Sequence, residues 1–454
     1  AMSTAPAAPS VSPKPIPDNA QVLRVAIPVV LSGLSTPLIG LIDTAAVGQL
    51  GDAKYIGAVA LGALIFTFLY WAFGFLRMGT TGVVAQAAGQ QHWAQVIQLL
   101  QQGIVLALAV ASVLLLAQTW LIEWGLVLLT DDQGLQQLAG QYAGVRIWAA
   151  PAVLINYVLL GWFLAQQNSR FSFYMLVLGN SVNIVLDLWF VLGLGWNVKG
   201  VALASLLADY LVLLVGGYLA WRQILRLQAD YPEKLRGQLR VSLGRFSDYQ
   251  TLLRVNHQLL VRTWVLLFGM AFFTAQGARF GADVLAANAI LLQMVMFVSY
   301  ALDGLAHSAE ALVGQSAGAK RIDELKTIVR RSLVWSLLAA GLFSISYGLF
   351  GVSLASLMTD LPEVLLLVDQ YLFWVALIPV LAAASYLFDG VYIGLTRADV
   401  MRNTTLLATV LYLLVWYLSQ DFGNQGLWFA FTLFALLRSL GLYWHYCWRL
   451  KISE

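Results

Sequence analysis

Twelve charge-poor apolar runs, each about twenty residues long, recur along this chain and restrict it to one kind of fold. In hydrocarbon every backbone N–H and C=O must be paired within its own segment, so a run of that length crosses as an α-helix. The first six occupy residues 23–48, 56–76, 96–116, 139–164, 173–195 and 201–221. After a charged break come 259–277, 284–305, 333–358, 364–394, 406–418 and 426–447, the eleventh short and the tenth long enough to tilt or bend. Composition agrees: 60% of residues are apolar, only 11% are charged and mean hydropathy is +0.76, which excludes an ordinary soluble domain. The expected fold class is an all-α integral membrane protein.

Lys and Arg set the expected orientation, because loops rich in them stay on the cytoplasmic side. With the amino terminus inside, cytoplasmic ends and loops collect Arg24, Arg77, Arg170, Arg222, Arg226, Arg254, Lys320, Arg321, Arg330, Arg331, Arg397, Arg402, Arg438 and others, while outer loops hold only Lys54, Lys199 and Arg279. An even number of spans returns the carboxyl terminus to the cytoplasm. The net charge of +3 follows from topology and does not imply nucleic-acid binding. Residues 1–21, rich in Pro, Ala and Ser and lacking the order of a cleaved signal, read as a disordered cytoplasmic tail. The lone cysteine, Cys447, and four scattered histidines offer no disulfide or metal cluster.

The chain repeats itself at a displacement of roughly 228–230 residues. VAQAAGQQ at 84–91 matches VGQSAGAK at 313–320, Gly51 pairs with Gly281, and Pro151 with Pro379. Because six spans per copy is even, both copies enter the membrane in the same direction, as parallel repeats about an axis along the membrane normal. The expected organisation is a lobe over residues 22–222, a basic cytoplasmic linker over 223–254, a second lobe over 255–448 and a tail over 449–454.

Two carboxylates, Asp43 on span one and Asp187 on span five, have no acidic counterpart at the repeat displacement. An ionised carboxylate in hydrocarbon costs about 2.5–3.5 kcal/mol, so such a residue marks a site for a proton, an ion or a cationic ligand. Asn180, Asn183 and Asp187 are spaced i, i+3 and i+7, putting two amides and a carboxylate on one helical face. With Thr44 and Ser205 at a similar depth, an oxygen-lined pocket for one proton or one hard cation is expected. The competing reading makes these groups interhelical hydrogen bonds without exchange. Pro28 and Pro37 on span one remove backbone bonds and favour a kink, either static or moved by the charge state of the nearby carboxylate. A second set, Asp303 and Glu310 on span eight and Asp389 on span ten, lies in the inner half with Arg262, Arg397 and Arg402 at a comparable level. Charge pairing of inner helix ends is the simpler reading of that set.

LIDTAAVGQLG at 41–51, GNSVNIVLD at 179–187, YALDGLAHSAEALVGQSAG at 300–318 and FDGVYIGLTRADVMRNT at 388–404 resemble the MATE transporters, most of all their DinF branch. The resemblance spans nearly the whole chain. It implies two six-helix lobes in a V around a central cavity, and antiport of organic compounds against sodium ions or protons, with no other cofactor. Ion or proton coupling maps onto Asp43, Asn183 and Asp187, the set that would hold Na+, and onto Ser205, where other members carry threonine or alanine. Asp43 is also the expected substrate contact. Some relatives place a cation site in the second lobe with carboxylates on spans seven and ten; here span seven has no acid between 259 and 277.

The expectation is a multidrug efflux antiporter of the bacterial inner membrane, a monomer taking lipophilic or cationic organic substrates through a cavity bordered by spans one, two, seven and eight. The alternative is a lipid-linked precursor flippase of the wider superfamily, which would carry a strongly cationic cavity. An enzyme is not expected, since neither Gly-x-Ser-x-Gly nor His-Glu-x-x-His occurs.

Overall fold

A computed structural model describes residues 18–48, 53–232 and 249–452; at 34–48, 53, 192 and 449–452 it defines the backbone only. Fifteen α-helices carry these residues: α1 (Asn19–Gly48), α2 (Ala53–Ala72), α3 (Phe75–Gly89), α4 (Trp93–Leu116), α5 (Gln118–Leu129), α6 (Gln133–Arg146), α7 (Ala150–Ala165), α8 (Ser169–Asp187), α9 (Asn197–Asp230), α10 (Gln250–Ala278), α11 (Ala282–Gly318), α12 (Ile322–Ala355), α13 (Pro362–Gly394), α14 (Ala398–Ser419) and α15 (Asn424–Ile452). Among the described residues eleven helical stretches are long and apolar enough to cross a membrane. The 30 residues of α1 add a helix of about 45 Å, longer than the ~30 Å hydrocarbon core.

Several spans differ from the hydropathy reading, each for a physical reason. Span two does not end near Leu76: it runs from Lys54 to Gly89, with a turn at Phe73 and Gly74 joining α2 to α3. Arg77, expected at a cytoplasmic end, therefore lies inside the helix bundle. Arg438, expected at a helix end, is likewise buried, 8% exposed. Apolar windows stop at a charge, whereas a helix tolerates one that finds a partner. Span four is α6 and α7 joined by a 3-10 turn at Ile147–Ala149, just before Pro151. Span eleven is not short, since its helix begins at Ala398 and carries polar residues in its first turns. The helix of α1 continues through Pro28 and Pro37 without interruption, so the lost backbone bonds do not end it. The linker assigned to 223–254 is helical at both ends, and residues 233–248 lie outside the described set.

The internal repeat is visible as packing. Where α3 meets α11, Gly89 lies against the carbonyl of Gln315 and Gly318 lies against the carbonyl of Gln86. Gln86 and Gln315 occupy the same place in the two copies, as do Gly89 and Gly318, so each contact is the other's mirror. The hydrogen bonds repeat the pattern: Gln86 Nε2 donates to the Gly394 carbonyl at 2.9 Å, and Gln315 Nε2 donates to the Ala165 carbonyl at 2.7 Å. Gly161 against the Arg77 carbonyl corresponds to Gly390 against the Ala306 carbonyl. Among the described residues four non-glycine residues have positive φ, and they fall into the pairs Gln91 with Lys320 and Gln167 with Thr396 at the same displacement. Reciprocal contacts of this kind are what a two-fold relation between the halves produces.

Glycines let the two helices approach with backbone against backbone. A Cβ at either position would strike a carbonyl that cannot move alone, so Gly89→Ala and Gly318→Ala should each destabilise the protein by ~1–3 kcal/mol. The thermal unfolding midpoint in detergent reads this, and the symmetry predicts comparable losses at both sites; an unchanged midpoint would show that the seam relaxes freely.

Among the described residues two large apolar clusters fill the interior. One joins the front half to the start of α10, the end of α11, the end of α13 and the start of α14, through residues such as Trp162, Phe163, Leu259, Leu312 and Phe388. The other lies wholly in the rear half, around Phe273, Tyr412, Trp428 and Phe431. The halves thus share a core at the seam end of the bundle.

Candidate functional site: intramembrane charges beside the seam

A charge within the bundle needs a partner, so the inventory of paired carboxylates sorts structural from exchangeable groups. In the front half, α8 carries Asn180, Asn183 and Asp187 on one face. Asp187 is fully buried, Asn183 is 6% exposed, and Asn183 Nδ2 donates to Ser205 Oγ of α9 at 3.2 Å. Asn180 is half-buried. Directly after Asp187 the backbone widens into a π-helical turn, Leu188–Gly193, a geometry frequent at functional sites. Helix α1 packs against α8 and this turn. Asp43 and Thr44 lie on the far part of α1, outside the described side chains, as does that of Pro37; Pro28 is half-buried. The structure thus joins Asn183 to Ser205, buries Asp187 one turn further along the same helix, and packs the helix of Asp43 against it.

A further pair in the front half escaped the sequence reading. Arg146 Nη1 meets Asp209 Oδ2 at 2.6 Å, the guanidinium lies 5.4 Å from the Tyr70 ring centroid, and Asn156 Nδ2 donates to the Asp209 carbonyl at 3.0 Å. Arg146 ends α6 at the break in span four. The signal available was one acid in span six and one base in span four, each lost within an apolar average.

The rear half holds the second set. Asp389 of α13 accepts from Arg262 of α10 and, at 2.8 Å, from Arg438 of α15, both through Oδ2. Arg262 was an expected neighbour, but Arg397 instead pairs with Asp399 at 2.8 Å and Arg402 donates to Asn403. Glu310 of α11 is fully buried and lies 3.4 Å from Arg77 of α3, so this ion pair joins front and rear halves. At the equivalent repeat positions stand Ala306 and Thr81, which makes the pair an asymmetric addition to the two-fold seam. Asp303 differs from its neighbours. It is half-buried, lies within electrostatic reach of Arg77, Arg262, Asp389 and Arg438, and makes no hydrogen bond or ion pair among the described residues. Among the described residues three guanidiniums therefore balance three carboxylates where α3, α10, α11, α13 and α15 meet.

α1 and α3 pack on α11, and α3 packs on α10, so the helices of spans one, two, seven and eight converge here. Of the hydrogen bonds described between front and rear halves, those of Gln86, Gln167 and Gln315 fall at the seam end, and that of Arg77 with Glu310 stands deeper.

Apolar helices that repeat about a two-fold relation and enclose ionisable groups in their interior are the architecture of a membrane transporter. Comparison with known proteins gives the family: the MatE model matches residues 28–189 and 259–418, and the chain belongs to the MATE transporters, which are not enzymes. DNA damage-inducible protein F of Escherichia coli (strain K12) is 38% identical over 428 residues, covering 94% of this chain and 92% of that one. Multidrug resistance protein MdtK of Yersinia pestis (strain Pestoides F) is 25% identical over 95% of this chain and 96% of its own. A solved structure described as the outward-facing conformation of a multidrug resistance MATE family transporter superposes with a TM-score of 0.85 at 19% identity, covering 96% of both chains.

Proposed function

We propose that the chain is a secondary antiporter that exports lipophilic or cationic organic compounds in exchange for protons or sodium ions, with coupling at Asp43, Asp187, Asn183, Asn180 and Ser205. The observation that carries this reading is the fully buried Asp187, set beside the Asn183–Ser205 bond and a π-helical turn on a helix packed against the one bearing Asp43. A proton or a sodium ion bound there neutralises charge that hydrocarbon disfavours, and its exchange for cargo links the two fluxes.

In this reading the two lobes are residues 22–222 and 255–448, both termini lie in the cytoplasm of a bacterial inner membrane, and the monomer is the working unit. The closed seam then lies on the cytoplasmic side. Among the described residues the amide-to-carbonyl bonds between the halves gather at that end, which supports an outward-facing state, the conformation named for the solved neighbour. The carboxylate-balanced interior favours this reading over a lipid-linked precursor flippase, whose cavity would carry an excess of cationic groups.

Dye efflux from proteoliposomes tests it. An imposed sodium gradient at fixed pH, or a proton gradient free of sodium, should drive uphill efflux in one case and leave the other near the passive rate. Efflux indifferent to both gradients would reject coupling.

A further inference from the structure

We propose that a groove between α10 and α14 is a binding site for an anionic phospholipid, one acyl chain lying along the groove and the phosphodiester held by Arg254 and Arg402. The groove has a volume of about 440 Å³ and is walled by Leu260, Val261, Val265 and Phe268 from α10 and by Leu406 and Val410 from α14. Its wall is almost wholly apolar and opens outward: Phe268 is 50% and Val410 61% exposed. In a membrane-spanning chain a cleft of this kind faces hydrocarbon, and a lipid chain fills it.

Helical periodicity places a cation at the same end of both walls. Arg254 stands seven, eleven and fourteen residues before Val261, Val265 and Phe268, which puts its Cβ on the groove face of α10. Arg402 stands four and seven residues before Leu406 and Thr409 on the groove face of α14. At 1.5 Å per residue the arginines lie about 9 Å and about 6 Å beyond the first lining residues, Leu260 and Leu406. Both helices begin at the seam end, since Leu252 and Val255 of α10 and Ala398 and Met401 of α14 belong to the core that the halves share there. The arginines thus converge on one membrane surface rather than on opposite ones.

Among the described residues neither guanidinium has a carboxylate partner. Arg254 is exposed and makes no ion pair among the described residues, while Arg402 donates only to the neutral Asn403 Oδ1 at 3.0 and 2.8 Å. Two uncompensated guanidiniums above an apolar slot match a phosphodiester above an acyl chain, because a phosphate accepts charge-assisted bonds from both. A soluble anion would use the arginines and leave the groove unfilled; a zwitterionic lipid would fill the groove but gain less from the charge.

Native mass spectrometry of the full-length protein in detergent, titrated with phosphatidylglycerol or phosphatidylcholine, tests the site. Wild type should bind one phosphatidylglycerol about thirtyfold more tightly than the Arg254→Gln/Arg402→Gln variant, at ~1 kcal/mol per arginine. Phosphatidylcholine affinity should differ little between the two proteins. Val265→Trp, which fills the slot and leaves the arginines in place, should weaken both lipids. Equal phosphatidylglycerol binding by wild type and the double variant overturns the proposal, and so does competition by glycerol phosphate at the concentration of the long-chain lipid. Both arginines touch water, so loss of the fold is not expected; an unchanged unfolding midpoint without lipid confirms that the variant is intact.

Discussion

Asp187→Asn is expected to lower gradient-driven efflux by on the order of a hundredfold while the protein inserts and folds normally. Asparagine has nearly the same shape as aspartate and can still pack beside Asn183 and Ser205, so the scaffold at α8 and α9 survives. What it cannot do is carry a negative charge. In the proposed mechanism the carboxylate leaves a charge in the empty site, and the conformations that admit a proton or sodium ion gain free energy that the others do not. With an amide, no differential affinity remains between the states, and a ligand without differential affinity shifts no conformational equilibrium. Transport measured in proteoliposomes should fall to the passive rate, whereas equilibrium binding of a lipophilic cation should change far less. Asp43→Asn is expected to behave in the same way, because α1 packs on α8. Efflux within twofold of wild type in either variant would remove that residue from the mechanism.

The second large effect concerns the ion pair between the halves. Arg77→Met leaves Glu310 buried with its guanidinium partner gone, a change that costs about 3–5 kcal/mol for a buried pair. Arg77→Met/Glu310→Gln removes the charge together with its partner and should recover most of that loss, giving a coupling energy of roughly 2 kcal/mol or more in a double-mutant cycle. Thermal unfolding in detergent measures the cycle. Because the pair crosses the seam, Arg77→Met should also speed thiol labelling of a cysteine placed at Ala85, which packs against Gly314 of the other half, in a protein whose Cys447 has been replaced. Additive losses with unchanged labelling would mean that the pair contributes nothing to closure.

If the seam must open for cargo to pass, its composition explains how it can do so. Mirror-related glycine contacts and amide-to-carbonyl bonds are numerous but individually modest, about 1 kcal/mol each, and those near the surface can be replaced by water. The Arg77–Glu310 pair stands deeper and has no mirror image, so it can respond to charge where the rest of the seam cannot.

Much of the candidate site was legible in the linear chain because its signals are local. Asn180, Asn183 and Asp187 share a helical face by spacing alone, and Asp187 is conspicuous because its surroundings are apolar. The π-helical turn that follows Asp187 was not legible, since widening a helix by one residue leaves no period or composition mark. Arg146 with Asp209, and Arg438 with Asp389, were missed for another reason. A hydropathy window averages a single charge away, and a pair distributed over two helices has no fixed separation in sequence. Arg77 was placed at a helix end because charge in an apolar run reads as a boundary until its partner is known.

The sequence by itself determined that this chain lives in a bilayer, that it is built from helices in two parallel copies, and that carboxylates in one copy have no acidic equivalents in the other. The first follows from the length of the apolar runs, which hydrocarbon enforces on any backbone, and the other two from aligning the copies residue by residue. Tertiary structure alone decided which charges neutralise one another, which glycines let α3 and α11 touch, and where an apolar slot lies beneath two unpaired arginines. Such choices depend on how helices rotate and approach in three dimensions, where residues hundreds of positions apart become neighbours.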